Sequence, residues 1–163
     1  MSSMTEVLST YSPEDVVVVL ANGSFSHVIN GYADGTFIGI SREVPASTLY
    51  VGSDLSNARV IRANKASTVT LSLHQASESN DVLSQLLAND EVARDNTWLF
   101  SLTIKDNTGR SLYFSPQAFI SIEPDRSFST GIENRDWGLQ CVSLQGVTGG
   151  NGKFSTDGAA ALG

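Results

Sequence analysis

Ser67-Thr68-Val69-Thr70-Leu71-Ser72-Leu73-His74, followed shortly by Ser79-Asn80-Asp81-Val82-Leu83-Ser84-Gln85-Leu86-Leu87, decides the fold class. In the first run Val69, Leu71 and Leu73 alternate with Thr68, Thr70, Ser72 and His74, the two-residue period of a half-buried strand rich in β-formers. In the second run Val82, Leu83, Leu86 and Leu87 recur at three- and four-residue spacing, which makes one apolar stripe on a helix. Ser77, Glu78, Ser79, Asn80 and Asp81 supply side chains of capping type, and Asp81 suits the positive end of the helix dipole. The spacing predicts a helix over 80–94 that packs Val82, Leu83, Leu86 and Leu87 on a sheet, because almost everything else in the chain reads as strand.

Working outward toward the N-terminus, Asn64-Lys65 offers a turn before this strand, across which Arg59–Arg62 is expected to pair with the Val69 strand. Residues 43–63 otherwise read as a long loop, interrupted by Pro45 and Gly52, that carries Val44, Leu49, Tyr50, Val51 and Leu55. A loop of that length inside a compact domain usually serves binding. Before it come a strand at Thr36–Arg42, a glycine turn at Asn30–Gly35, and the pair Val16–Leu20 and Phe25–Ile29. Asn22-Gly23 between those two runs is a strong hairpin signal. Residues 1–15 form an N-terminal arm whose apolar anchors are Val7, Leu8 and Tyr11.

Beyond the helix, Trp98–Lys105 and Ser111–Phe114 flank Asp106-Asn107-Thr108-Gly109-Arg110, a second hairpin. Ala118–Glu123 and Leu139–Leu144 add further strands, and a glycine-rich tail occupies 147–163. The expected architecture is one mainly β domain over 16–146, with seven to ten antiparallel strands forming a sandwich or partly open barrel and one helix covering an end.

The 163 residues carry seventeen acidic and ten basic side chains, a formal charge of −7. Dedicated nucleic-acid binders depend on clustered Lys and Arg, so this balance argues against one. No run of about 18 apolar residues suggests a membrane span, and Met1–Glu6 has no signal-type pattern, so the chain is expected to stay in the cytoplasm that makes it. No catalytic, cofactor or metal constellation emerges. His27 and His74 fall at polar strand positions without ligand-spaced neighbours, the Gly146–Gly152 cluster precedes no helix, and no serine sits in a Gly-x-Ser-x-Gly elbow. Cys141 lies in an alternating strand and reads as a buried structural thiol. Trp98 and Trp137 read as core or interface anchors.

Asn30–Ile38, Tyr50-Val51-Gly52, Ser79–Leu83, Asp106–Leu112 and Glu133–Trp137, in this order from about Val16 to Gly146, resemble the tail tube proteins of contractile-tailed bacteriophages. The resemblance implies a non-enzymatic structural protein of the virion tail, assembled in the host cytoplasm. It implies hexameric rings that stack into a hollow tube, whose lumen conducts DNA without binding it specifically. Sheath, baseplate and tail terminator proteins would be its partners. Ring stacking is then assigned to Val7, Leu8, Tyr11, Leu49, Tyr50, Val51 and Leu55. Two alternatives stand beside this one: a tube or terminator subunit of a related injection machine such as a secretion-system needle, or a non-catalytic β-sandwich binding module using Trp98 or Trp137.

Overall fold

A computed structural model describes residues 11–107 and 109–150. After a 3-10 turn at Pro13–Asp15, ten strands and one helix follow: β1 (Val16–Ala21), β2 (Ser26–Val28), β3 (Ile38–Arg42), β4 (Ser47–Val51), β5 (Asn57–Ile61), β6 (Ser67–His74), α1 (Ser79–Ala93), β7 (Phe100–Asp106), β8 (Leu112–Ile122), β9 (Asn134–Cys141) and β10 (Gln145–Val147). Eight of the strands make one sheet in the order β2-β1-β7-β8-β9-β6-β3, with β10 also on β8, and β4 and β5 pair separately. All of these pairings are antiparallel. The fold is the expected mainly β architecture, as a partly open barrel.

The sheet curls because residues 29–37 bridge its two ends. Ile29 N donates to Val18 O on the β1 side. Tyr32 then pairs with Leu73, Ala33 N donates to Ser72 O, and Ser72 N donates to Phe37 O on the β6 side. Gly31 makes this crossing possible. Its φ of +70° suits glycine, and a Cβ there would stand 2.5 Å from Ser77 Cβ.

Alternation then fills the inside of the curl. Val69, Leu71 and Leu73 of β6 are buried with Val18 and Leu20, Leu102 and Ile104, Ala118 and Ile120, and Trp137 and Leu139. β8 stays in register with both neighbours only by carrying extra residues. One lies between the Phe100↔Ala118 and Leu102↔Ser115 pairs, where Pro116 has no N–H to contribute to a ladder. Another lies between Ile120↔Leu139 and Ile122↔Gly138. Such bulges increase the local bend that a curled sheet needs.

α1 closes the open side. Leu83 is fully buried and Leu86 nearly so, while Val82 and Leu87 are half-buried against the same core. The helix begins at Ser79, one residue before the predicted start. Glu78, in the cap position, makes no side-chain cap bond, and Ser77 Oγ accepts from Ser79 N at 3.1 Å instead. At the other end Arg94 adopts a left-handed φ of 53° and its N–H bonds Asp90 O.

Three further differences from the sequence reading have physical causes. β8 is one long strand rather than two, because its bulges let it continue past Pro116. β9 covers Asn134–Cys141 rather than 139–144, since it pairs along the whole of β6 from His74↔Asn134 to Ser67↔Cys141. The glycine-rich stretch also begins inside the ladder. Gln145, Gly146 and Val147 pair with Phe114, Tyr113 and Leu112, and Arg110 N donates to Gly150 O.

Candidate functional site

The stretch expected to be the 43–63 loop is a β-hairpin. β4 pairs with β5 in register from Ser47↔Ile61 to Val51↔Asn57. The turn is stapled by Gly52 N to Ser56 O and Leu55 N to Gly52 O, with Asp54 Oδ1 accepting from Ser56 N and Oγ. These bonds hold the Asp54 carboxyl below the usual carboxylate range. Leu55 takes the left-handed φ of 64°, a conformation that costs a bulky residue energy.

β5 does not fold back on the Val69 strand as the sequence suggested. β3 and β6 pair up to Arg42↔Ser67, Glu43 N bonds Ala66 O, Arg62 N bonds Ala46 O, and the β4–β5 ladder begins. β5 and β6 therefore run consecutively along one arm. Asn64 kinks the chain by accepting from Ala66 N, rather than reversing it. Arg42 braces the base, its Nη2 donating to Asn64 O at 2.9 Å and to Arg62 O at 3.4 Å. The hairpin thus prolongs the β3–β6 ladder past the end of the barrel.

Its side chains are among the most exposed large apolar groups of the described residues: Leu55 is 79% exposed, Leu49 72%, Ile61 69% and Tyr50 61%. Strand alternation puts Leu49, Val51 and Ile61 on one face with Arg59, and Tyr50 and Val60 on the other. Both faces are apolar and neither is buried. An isolated two-stranded hairpin is marginal in water, so this one needs a covering surface.

Of the residues assigned to stacking, Leu49, Tyr50, Val51 and Leu55 share this hairpin. Tyr11 lies elsewhere, on a cavity of about 360 Å³ that Phe37, Ile38, Ile40, Ile104 and Tyr113 also line. Val7 and Leu8 lie outside the described residues. Sequence reasoning missed Val60, Ile61 and Arg59 as hairpin members. Gly52-Ser53-Asp54 between two β-rich runs was the available turn signal.

Cys141 is buried and its thiol is pushed up to about 11 by burial, which leaves it inert as a thiolate nucleophile. Burial also pushes the Tyr32 phenol up to about 12, and its ring packs on Phe37 with centroids 4.7 Å apart and planes tilted by 42°. His27 and His74 are half-buried rather than solvent-facing; His27 Nε2 lies 2.9 Å from Ser79 Oγ at the start of α1. Trp137 is buried, and Trp98 lines a groove beside α1. Among the described residues no group of three or more His, Cys, Asp or Glu side chains is placed to hold a metal ion. No described helix is long and apolar enough to cross a membrane.

The architecture is thus a curled antiparallel sheet with one helix and a projecting hairpin that is exposed on both faces. The family model described as "Bacteriophage PhiTE tail tube protein" matches residues 8–149. This chain belongs to that tail tube family. "Structural protein ORF10" of Pseudomonas phage KPP10 is 40% identical to it over 149 residues, covering 90% of this chain and 86% of that protein. The tube-terminating cap of the anti-feeding prophage superposes with a TM-score of 0.55 at 11% identity, covering 90% of this chain and 96% of the cap. At that identity the cap shows a shared fold alone. Family membership makes this tail tube chain a phage structural protein of the virion, as the sequence resemblance implied.

Proposed function

We propose that the chain is the repeating subunit of a contractile tail's inner tube, assembled in the host cytoplasm as hexameric rings that stack. The observation that carries this reading is the β4–β5 hairpin, apolar on both faces and extended past the barrel, in a chain of the tail tube family. The outer strands β2 and β3 support it, since an open sheet presents unpaired edges that a ring of neighbours would use. Leu49, Tyr50, Val51 and Leu55 make the ring-to-ring contact, joined by Tyr11, Val7 and Leu8 of the N-terminal arm. The subunit has no catalytic part in this. Sheath, baseplate and terminator proteins bind the finished tube.

The lumen conducts DNA without holding it. Each copy brings a formal charge of −7, and acidic side chains facing a narrow bore are focused by its low-dielectric walls, so phosphates are repelled.

The cap-like fold favours one second reading, a terminator that stops at a single ring. Negative-stain microscopy of the purified protein separates the two: long tubes support the tube subunit, single rings the terminator. A compact monomer by light scattering at high concentration would overturn both.

A further inference from the structure

We infer that the Leu49–Arg59 face of the hairpin seats in the groove beside α1 of a neighbouring copy, with Arg59 meeting the Asp81 carboxylate at the start of that helix. The inference rests on the tube reading and names the surface that receives the hairpin.

The groove runs between β2 and α1 and is lined by Phe25, His27, Asp81, Val82, Leu86 and Trp98. Its volume of about 420 Å³ leaves room for more than one apolar side chain. Glu78, Asp81, Val82, Gln85, Leu86 and Asn89 follow the spacing of one helix face. The face is apolar at its middle and carries two exposed carboxylates at its N-terminal end.

The hairpin together with its base has the opposite character. Residues 42–65 hold Arg42, Arg59, Arg62 and Lys65 against Glu43 and Asp54, four minus two, or +2. Residues 78–95 hold Arg94 against Glu78, Asp81, Asp90, Glu91 and Asp95, one minus five, or −4. In an acidic chain, an exposed hairpin whose two strands carry Arg59 and no carboxylate, with Arg42, Arg62 and Lys65 at its base, complements that helix face. Leu49 and Arg59 are direct cross-strand partners, so an apolar anchor and a cation project side by side from one face. Leu49 and Val51 fill the groove between Val82, Leu86 and Trp98, and Arg59 reaches Asp81. Among the described residues, no other element packs extensively on the hairpin. Complementary charge of this kind fixes register and excludes wrong partners.

The test is a charge swap in the full-length chain, with sedimentable tubes as readout and circular dichroism as the folding check. Asp81→Lys, or Arg59→Glu, is expected to lower tube yield by about tenfold or more through like-charge contact. Both changes in one chain are expected to restore most of it. A helix reversal that assembles like the parent, or a double variant that stays unassembled, would overturn the pairing while leaving the tube reading intact. A parent protein that forms no tubes would instead remove the tube reading and the pairing with it. Leu49→Cys combined with Gln85→Cys gives a check independent of charge. Oxidised tubes are expected to run as a ladder of cross-linked chains on denaturing gels, because Cys141 is buried and does not compete; monomer alone would overturn the contact.

Discussion

Trp137 Nε1 donates to Asn80 Oδ1 at 2.9 Å, and the same Asn80 side chain donates from Nδ2 to His74 O at 3.0 Å. One amide in the first turn of α1 thus ties the helix to β9 and to the end of β6. Asn80→Ala would leave a largely buried indole N–H and a carbonyl without partners, a cost of about 1–3 kcal/mol. Urea denaturation is expected to show a lowered midpoint with an unchanged slope. An unchanged midpoint would mean that the helix is held by its leucines alone.

The leucines themselves should rank by burial. Leu83→Ala and Leu86→Ala are each expected to lose about 2–5 kcal/mol through the cavity left behind. Leu87→Ala should lose less, since that side chain is only half-buried. Equal losses at all three positions would contradict the placement of α1 on the sheet.

Alkaline stability should fall in two steps. Cys141 ionises at an ordinary 9.0 when unfolded and at about 11 when folded, and Tyr32 at 10.0 and about 12. In each window the unfolded chain has released a proton that the folded chain retains. The unfolded state therefore gains as pH rises. Stability should decline from about pH 9 through Cys141 and further from about pH 10 through Tyr32. Cys141→Ser is expected to remove the first part of the decline, which thermal melts at pH 8 and pH 10 would reveal.

DNA gives a test with a definite sign. Assembled tubes are expected not to retain double-stranded DNA at low ionic strength, where repulsion from an acidic wall is strongest. Tight binding that weakens as salt is added would reveal a basic lumen or outer stripe and overturn the conduit account.

The parts of the fold that were legible in the sequence are those with one buried face. β6 alternates because Val69, Leu71 and Leu73 enter the core while its other side stays wetter, and the α1 stripe follows from the same asymmetry. The β4–β5 hairpin has no such asymmetry. With neither face buried inside the chain, Leu49, Tyr50 and Val51 form a continuous apolar run that reads as loop. β9 was misplaced because Gly138 interrupts its pattern, and that glycine is needed where a Cβ would stand 2.7 Å from Ile122. The candidate site was therefore visible as an unexplained group of apolar residues, but its shape and its Arg59 partner came only from the ladder.

The most direct test of the central claim compares the parent protein with the Leu49→Ser, Tyr50→Ser double variant by negative-stain microscopy after purification under identical conditions. Because the hairpin forms a sheet apart from the barrel, the variant should keep its circular dichroism spectrum and melting temperature. The account predicts long stacked tubes from the parent and, at most, single rings from the variant. Tubes of equal yield and length from both would contradict it.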